Sequence, residues 1–180
     1  MTIRLGIVMD PIQDIHFKKD SSLAMLHAAQ KRGWEIEYME LPDLYLAGGQ
    51  ARAHTRGLTV HMDPDNWYSF GASQDRALGD LDVILMRQDP PVDREFLMAT
   101  YILESAEQQG ALVVNPAATQ RDCNEKLFAT QFEDLTPPLI VTRSAQRFRE
   151  FYAEHGDISM EPVDGMGGRS IFRVKENDAN

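Results

Sequence analysis

Leu5-Gly6-Ile7-Val8-Met9-Asp10-Pro11 lies near the start of the chain and joins an apolar run to one acidic residue and a proline. A short apolar run such as Ile3–Met9 is typical of a strand that is buried on both faces of a parallel sheet. Predicted helices and strands then alternate along the chain. This alternation indicates an α/β fold with a largely parallel sheet.

The first helix and the second strand are predicted directly after this run. Asp20, Ser21 and Ser22 are good N-cap residues and Gly33 is a typical helix end, so a helix is predicted between them. The next residues alternate between apolar and acidic, as in a strand with one buried face and one solvent face. They are Trp34, Glu35, Ile36, Glu37 and Tyr38.

The remaining elements are predicted from apolar runs and the polar residues that flank them. Strands are predicted at Leu81–Met86, Ala111–Asn115, Leu139–Thr142, Ile158–Pro162 and Ser170–Val174, and helices between Asp93 and Gly110 and over Ala145–His155. The polar stretch Leu46–Ser69, interrupted by glycines, is predicted to be either a long functional loop or a small hairpin insertion.

Composition and charge argue against several classes of protein. The 180 residues contain 18 Lys and Arg against 28 Asp and Glu, so the formal net charge is −10. Binding to nucleic acid phosphates needs clustered basic residues, and we therefore expect no nucleic-acid partner. No run approaches the roughly 20 apolar residues of a membrane span, so we expect no membrane association. Cys123 is the single cysteine, in agreement with a reducing, cytoplasmic location.

Two polar segments are expected at the carboxyl ends of strands, where ligands bind in open parallel sheets. Asp10 follows the first strand, and Arg87-Gln88-Asp89-Pro90-Pro91 follows the strand Leu81–Met86. We expect Asp10 and Arg87 to point into a crevice there, and an arginine fork suits a carboxylate ligand because it can bind both oxygens. The alternative is that Arg87 forms a structural ion pair with Asp89 or Asp10.

A glycine-rich segment, Asp164-Gly165-Met166-Gly167-Gly168, lies between two predicted strands. The backbone N–H groups of such a segment can approach an anion closely, as they do in loops that bind phosphate. The spacings of the Rossmann fingerprint and of the P-loop are both absent. A glycine-rich hairpin turn without a ligand is therefore the alternative interpretation.

A dense polar run, Arg121-Asp122-Cys123-Asn124-Glu125-Lys126, lies at the junction between the two halves of the chain. A solvated linker or the start of a helix is its structural alternative. No motif pairs Cys123 with a histidine, as a catalytic nucleophile would require. The spacing of His54, His61 and Asp63 matches no standard metal site, so these residues are expected at the surface.

Several segments together resemble the amino-terminal half of the bacterial glutathione synthetase family, which belongs to the ATP-grasp group. They are Leu5-Gly6-Ile7-Val8-Met9-Asp10-Pro11, Lys18-Lys19-Asp20-Ser21-Ser22, Arg52-Ala53-His54-Thr55-Arg56, Ile84-Leu85-Met86-Arg87-Gln88-Asp89-Pro90-Pro91, Arg121-Asp122-Cys123-Asn124-Glu125-Lys126 and Asp164-Gly165-Met166-Gly167-Gly168. The resemblance in order and spacing spans essentially all 180 residues.

The resemblance implies a fold and a reaction. Residues 1–122 would form a Rossmann-like, substrate-binding pre-ATP-grasp domain, and residues 123–180 the beginning of an ATP-grasp domain. The implied enzyme uses ATP and Mg²⁺ to join γ-glutamylcysteine to glycine through an acyl phosphate. The resemblance also implies a homo-oligomer, with the Mg²⁺ ligands in the carboxyl-terminal half of the family that this chain does not span.

The same resemblance implies roles for individual residues. The nucleotide would be bound by Lys126, Glu161, Asp164, Gly165, Gly167 and Gly168. The mobile loop that closes over the phosphates and excludes water would consist of Gly165, Met166, Gly167 and Gly168. The peptide substrate would be bound by Asp10, Arg52 and Arg87.

Glu161 departs from the family pattern, which has a lysine directly before the proline that Pro162 matches. If this position faces ATP, the change replaces attraction by repulsion, roughly 4 kcal/mol per unit-charge contact at about 4 Å and a dielectric constant near 20. We therefore expect weakened nucleotide binding.

The leading interpretation is a ligase, and we expect these 180 residues alone not to catalyse the reaction. Two other interpretations remain open. The first is a stand-alone, non-catalytic domain that binds a peptide or a nucleotide, and Glu161 favours it. The second is a ligase of a different substrate or another nucleotide-binding α/β protein. The Arg121–Lys126 and Met9-Asp10-Pro11 segments argue against that second possibility.

Overall fold

The computed structural model of the protein describes residues 2–165 and 167–176. The chain divides into two compact units, Met1–Arg121 and Asp122–Asn180. Among the helices in the described ranges, none has the length and apolar character needed to cross a membrane.

The first unit combines a sheet with helices, and strands and helices alternate at both of its ends, which confirms the predicted α/β class. Its strands are β1 (Arg4–Met9), β2 (Glu35–Met39), β3 (Leu44–Ala47), β4 (Gln50–Val60), β5 (Tyr68–Ala77), β6 (Val83–Arg87) and β7 (Leu112–Val114). Its helices are α1 (Ser21–Lys31), α2 (Arg94–Gln108) and α3 (Ala117–Asp122), and short 3₁₀ turns lie at Leu41–Asp43 and Leu78–Asp80.

All of these strands join one sheet. Four of them are parallel and lie in the order β2-β1-β6-β7. At β2 the sheet continues in an antiparallel arrangement, because one edge of β4 pairs with both β2 and β3 while its opposite edge pairs with β5. The sheet is therefore parallel where helices follow strands and antiparallel where hairpins do.

The core of the first unit is built around β1. Its buried side chains are Leu5, Ile7, Val8 and Met9. One face of the strand packs against α1 and the other against α2. A Cβ atom at Gly6 would lie 2.7 Å from Leu81 Cδ1 and 3.0 Å from Met39 Cε, so only glycine permits this close packing without a shift of its neighbours.

The two long helices of the first unit begin and end at the residues that the sequence predicts. Asp20 accepts the Leu23 N–H at 2.7 Å, and Asp93 accepts an N–H from the first turn of α2 at 3.0 Å. These caps satisfy N–H groups that have no partner inside the helix. Gly33 and Gly110 follow the helices with φ angles of 73° and 117°, which favour glycine.

The stretch Leu46–Ser69 forms strands rather than a long loop. The hairpin interpretation has the right kind of structure but too small an extent, because β4 and β5 together run from Gln50 to Ala77 and belong to the main sheet. The polar residues of β4 concealed this. Alternate residues are nevertheless buried at Ala51, Ala53 and Thr55, and again at Leu58 and Val60 after an irregularity in the strand.

Glu37 is buried, and the predicted solvent face of β2 is therefore wrong at this residue. Its carboxylate accepts hydrogen bonds from Arg76 Nη2 at 2.9 Å and from Gln74 Nε2 at 3.0 Å. The Glu37 and Arg76 side chains are only 7% and 16% exposed. The prediction failed because β5 reaches across β4 and supplies both the cover and the cationic partner.

The second unit contains two helices and one hairpin within its described residues. They are α4 (Glu125–Phe128), α5 (Ala145–His155), β8 (Asp157–Met160) and β9 (Phe172–Lys175), with 3₁₀ turns at Ala129–Gln131 and Glu133–Leu135. β8 and β9 are antiparallel, with Ile158 opposite Val174. The predicted helix over Ala145–His155 is confirmed.

The predicted strand at Leu139–Thr142 is wrong. The segment has an irregular backbone, and no strand in the described ranges pairs with it. Pro137 and Pro138 precede it and lack the N–H groups that a ladder needs. β8 and β9, the nearest candidates, pair with each other instead.

The buried Glu37–Arg76 ion pair generates a stability prediction. We expect Arg76→Met to lower the free energy of unfolding by about 3 kcal/mol, because it leaves the Glu37 carboxylate buried without a cation. The double variant Glu37→Met/Arg76→Met should recover most of that loss. Urea denaturation measures both changes.

Arg32→Met, at an exposed residue of the same unit, is the control and should change stability by no more than about 0.5 kcal/mol. A loss below about 1 kcal/mol for Arg76→Met would contradict this account.

Candidate functional site

Two of the segments predicted to bind a ligand lie side by side at the carboxyl edge of the sheet. β1 and β6 are parallel neighbours, and Met9 is opposite Arg87. Asp10 directly follows β1, and Gln88 and Asp89 directly follow β6. The structure therefore brings the Asp10 and Arg87 segments together, as the sequence predicts.

Asp10 is held by the segment that follows β6. One carboxylate oxygen accepts the backbone N–H of Asp89 at 2.8 Å, and the other accepts a hydrogen bond from Gln88 Nε2. The carboxylate thus joins the ends of two neighbouring strands. A ligand that binds Asp10 must share these oxygens or replace one of the two donors.

Arg87 reaches the first turn of α1. Its guanidinium group donates to Ser21 Oγ at 3.0 Å and to Ser22 Oγ at 3.2 Å. Within the described residues it forms no ion pair with Asp10 or Asp89, so the structural pair suggested as an alternative is not formed. In this part of the chain the guanidinium group hydrogen-bonds only to neutral hydroxyl groups, so its positive charge stays available to an anion.

Arg52 lies on β4, on the part of that strand which extends past the carboxyl end of β2. It is paired with Asp75 and also donates to Tyr45 Oη at 3.2 Å. Hydrogen bonds from Tyr45 and Arg52 hold the pKa of Asp75 below its usual range, and Asp75 raises the pKa of Arg52. In the described part of the chain, no hydrogen bond or ion pair joins Arg52 to Asp10 or Arg87.

Tyr38 supports the segment after β1, and the sequence did not reveal this role. Its hydroxyl accepts the backbone N–H of Ile12 at 3.1 Å and donates to Glu40 Oε1 at 2.7 Å. Burial raises the pKa of Tyr38 well above its ordinary value, and the hydrogen bond to Glu40 raises it further. The alternation of β2 indicates only that Tyr38 is buried, since it carries no signal for a hydrogen bond to a residue 26 positions away.

Arg56 continues this network onto β4. It is paired with Glu40 at 3.1 Å, and its guanidinium carbon lies 4.1 Å from the centre of the Phe70 ring and 4.9 Å from that of Tyr38. Contacts of a guanidinium group with ring faces are attractive. The sequence motif contains Arg56, but the spacing alone cannot distinguish it from Arg52.

Trp67 makes a further contact with the segment after β1. Its indole Nε1 donates to the Ile12 carbonyl at 2.9 Å, and its ring centre lies 6.2 Å from that of Phe17. The Asp10–Ile12 segment is therefore fixed from both sides, by Tyr38 through the N–H of Ile12 and by Trp67 through its carbonyl.

In the second unit, Lys126 lies at the base of the glycine-rich turn. Its Nζ donates to the carbonyl oxygens of Pro162 and Gly165, the latter at 3.1 Å, and lies 3.4 Å from Glu161 Oε2. Asn124 caps α4 through its side-chain oxygen and donates from Nδ2 to the Val163 carbonyl at 3.2 Å. Asn124 and Lys126, from the polar run Arg121–Lys126, thus contact the chain at and just before the start of the glycine-rich segment.

The glycine-rich turn joins β8 to β9. Gly167 and Gly168 have φ angles of 66° and 76°, in the left-handed region. Asp164 is exposed, and Gly165 donates its N–H to the Pro162 carbonyl at 3.4 Å. Met166, also predicted for this loop, lies outside the described residues.

An apolar groove of about 380 Å³ lies beside Lys126 and Glu161 within the second unit. Its apolar lining includes Leu139, Ile140, Phe148, Phe151, Ile158 and Met160. The sequence did not predict this groove, because its walls come from an irregular segment, a helix and a strand that are separate in sequence. An apolar groove with a cation at its rim can hold a flat ring that carries an anionic group.

Metal ligands do not converge in the described ranges. There, no group of three or more His, Cys, Asp or Glu side chains is placed to hold a metal ion. Mg²⁺ needs several oxygen ligands in octahedral geometry, and the described residues do not fit such a site.

The fold is similar to that of solved ATP-grasp ligases. The solved structure of the ATP-grasp ligase PsnB complexed with minimal precursor matches 98% of this chain and 58% of its own chain, with a TM-score of 0.52 and 15% sequence identity. PsnB complexed with precursor peptide PsnA2 and AMPPNP matches with the same TM-score at 14% identity. At these identities the likeness concerns the fold alone.

Sequence comparison narrows this class to one family. The model of the prokaryotic glutathione synthetase N-terminal domain matches residues 3–121, and that of the prokaryotic glutathione synthetase ATP-grasp domain matches residues 125–180. Glutathione synthetase of Yersinia pestis is 62% identical and that of Escherichia coli K12 is 60% identical, each over 178 residues. The chain belongs to the prokaryotic glutathione synthetase family. The matched region covers 99% of this chain, and the chain spans 56% of the length of these relatives.

Tyr38 generates a prediction for the pH dependence of stability. Its pKa is raised above the ordinary 10.0, so above pH 10 the unfolded chain loses a proton that the folded chain keeps. The contribution of Tyr38 to the free energy of unfolding has its full value below pH 10. It is lost as the pH rises towards the folded-state pKa. We expect the free energy of unfolding to fall by about 1.4 kcal/mol per pH unit in that range. Urea titrations between pH 9 and pH 11.5 measure the slope, and Tyr38→Phe should lack this contribution. Equal slopes for the two proteins would contradict the assignment.

Proposed function

We propose that this chain supplies the peptide-binding part and one side of the nucleotide site of a glutathione synthetase, which joins γ-glutamylcysteine to glycine with ATP. The observation that carries the proposal is the position of Lys126 beside Gly165, at the base of a glycine-rich turn. A lysine ammonium and free backbone N–H groups are the usual protein partners of phosphate oxygens. Residues 1–122 are proposed as the substrate-binding domain, and residues 123–180 as the start of the ATP-grasp domain.

The proposed reaction requires an activated carboxylate, because a carboxylate is a poor electrophile. The γ-phosphoryl group of ATP is transferred to the cysteine carboxylate of γ-glutamylcysteine. The amine of glycine then displaces phosphate from the acyl phosphate. Catalysis of phosphoryl transfer depends mainly on positioning and on neutralisation of charge. We assign Lys126 and Asp164 to the nucleotide, and Gly165, Met166, Gly167 and Gly168 to the loop that covers the phosphates.

The groove beside Lys126 is proposed to hold the adenine ring. Its volume of about 380 Å³ and its lining of aliphatic and aromatic side chains suit a flat heterocycle. With the ring in the groove, the phosphates extend towards Lys126 at the rim. Mg²⁺ is proposed to bind with the nucleotide, through ligands from the part of the relatives that this chain does not span.

The peptide is proposed to bind at the carboxyl edge of the first unit. Among the described residues Arg87 hydrogen-bonds to the neutral hydroxyl groups of Ser21 and Ser22, and it can bind a substrate carboxylate. Asp10 accepts from an amide and a backbone N–H, and its negative charge suits the amino group of the γ-glutamyl part. Arg52 is already paired with Asp75, so a substrate carboxylate must compete with that residue. A cytoplasmic homo-oligomer remains part of the proposal, from the family resemblance.

A non-catalytic nucleotide- or peptide-binding domain is the second candidate function. The specific observation in its favour is the ion pair between Lys126 and Glu161, at 3.4 Å. The pair neutralises the cation that would otherwise attract the phosphates. Under this alternative the chain binds γ-glutamylcysteine at the first unit, and the second unit has lost most of its affinity for ATP.

Charge reversal at Glu161 tests the nucleotide site. We expect Glu161→Lys to bind ATP at least tenfold more tightly than the unmodified chain, because it removes the partner of Lys126 and adds a second cation. Isothermal titration calorimetry at fixed ionic strength measures the affinity. Glu154→Lys, at an exposed residue of α5, changes the net charge by the same amount and should leave the affinity nearly unchanged. Equal ATP affinity in Glu161→Lys and the unmodified chain would refute the proposed position of the phosphates.

A second test separates binding from catalysis. We expect the 180-residue polypeptide to bind γ-glutamylcysteine but to form no glutathione from ATP, γ-glutamylcysteine and glycine. Calorimetry measures the binding, and chromatographic detection of glutathione measures the turnover. Arg87→Leu should weaken peptide binding at least tenfold, because it removes the cation offered to the substrate carboxylate. Turnover by the polypeptide, or unchanged binding by Arg87→Leu, would contradict these assignments.

A further inference from the structure

Three oxygen atoms of the chain lie around the ammonium group of Lys126. A lysine ammonium carries three N–H donors. In the structure its neighbours are two carbonyl oxygens, of Pro162 and Gly165, and one carboxylate oxygen of Glu161. The side chain is 18% exposed, so little of it faces water. A phosphate that binds Lys126 therefore competes with these oxygens for the ammonium group.

The three acceptors belong to one short segment. Residues 161–165 follow β8 and include the first two residues of the glycine-rich turn. Asn124 also holds this segment, since its Nδ2 donates to the Val163 carbonyl at 3.2 Å. Asn124 in turn caps α4, since its Oδ1 accepts the N–H groups of Lys126 and Leu127. The start of α4 and the segment 161–165 are thus joined by two neighbouring side chains.

We propose that Lys126 is a latch that holds the segment 161–165 in the ligand-free protein, and that Glu161 strengthens this latch at the expense of anion binding. The inference rests on the proposed function in one respect, namely that Lys126 is the residue which meets the phosphates. An anion and the segment compete for the same ammonium group. Binding of the anion then frees the carbonyls of Pro162 and Gly165 and loosens the base of the turn.

Glu161 decides the balance between the two states. Carbonyl oxygens are neutral acceptors, whereas the Glu161 carboxylate carries the only full negative charge among the three acceptors of Lys126. Hydrogen bonds between charged partners are stronger than neutral ones. Because Glu161 is 46% exposed, replacing it by glutamine alters the charge without leaving a buried cavity.

Hydrogen–deuterium exchange of the full chain without ligand tests the latch directly. Exchange in the peptide that spans residues 161–165 should rise at least tenfold in Lys126→Met and several-fold in Glu161→Gln, because contacts that hold this segment are lost. Glu154→Gln on α5 changes the net charge equally and should leave exchange in that peptide unaltered. Unaltered exchange in both Lys126→Met and Glu161→Gln would overturn the latch. If Lys126→Met does not fold, Glu161→Gln alone decides.

Tripolyphosphate is the probe for the competition. It should raise exchange in the 161–165 peptide of the unmodified chain, and Glu161→Gln should bind it several-fold more tightly. Binding of tripolyphosphate without a change in exchange overturns the latch and leaves the proposed function intact. No binding by the unmodified chain or by Glu161→Gln at millimolar concentration overturns the proposed phosphate role of Lys126, and with it the competition. The ligand-free exchange result then stands as a measure of the contact alone.

Discussion

The first unit depends on the burial of β1, which is paired along both edges and packed on both faces. Each fully buried aliphatic side chain of such a strand contributes roughly 1.5–3 kcal/mol of transfer free energy. Gly6 allows Leu81 and Met39 to approach the strand closely from the α2 side. Because β6 is the parallel neighbour of β1, the same pairing also determines where Asp10 and Arg87 lie. The position of the proposed peptide site is thus a direct consequence of how the core packs.

Four of the charged residues proposed to bind ligands, Asp10, Arg52, Arg87 and Lys126, are already hydrogen-bonded within the chain. Asp10 accepts from the segment after β6, Arg52 is paired with Asp75, and Lys126 contacts three oxygens of one segment. Binding at such a residue is an exchange of partners, so the affinity depends on the difference between the old and new contacts. Arg87 differs, since its partners are neutral hydroxyl groups. It is therefore the proposed substrate residue whose charge is least compensated.

The sequence predicted those features that depend on local patterns. Apolar runs located β1 and β6, and the cap residues Asp20 and Asp93 located the helices. Such signals lie within a few residues of the element that they define. The α/β class followed from their alternation.

The features that the sequence missed depend on partners that are distant along the chain. Glu37 is buried because β5 brings Arg76 to it from 39 residues away. Leu139–Thr142 has the composition of a strand, but no strand in the described residues offers it a ladder. The contact between Lys126 and Glu161 joins two motifs that were interpreted separately, and no spacing rule predicts it. Propensity describes one segment at a time, whereas these outcomes depend on pairs of segments.

Both tryptophans of the chain, Trp34 and Trp67, lie in the first unit. Trp67 is hydrogen-bonded to the Ile12 carbonyl, two residues after Asp10. Since indole fluorescence responds to its hydrogen bonds and to the polarity around it, the emission spectrum of the intact chain contains a native optical reporter on the segment after β1. The second unit contributes no tryptophan emission, so tryptophan fluorescence reports on events at its groove only when they are relayed to the first unit.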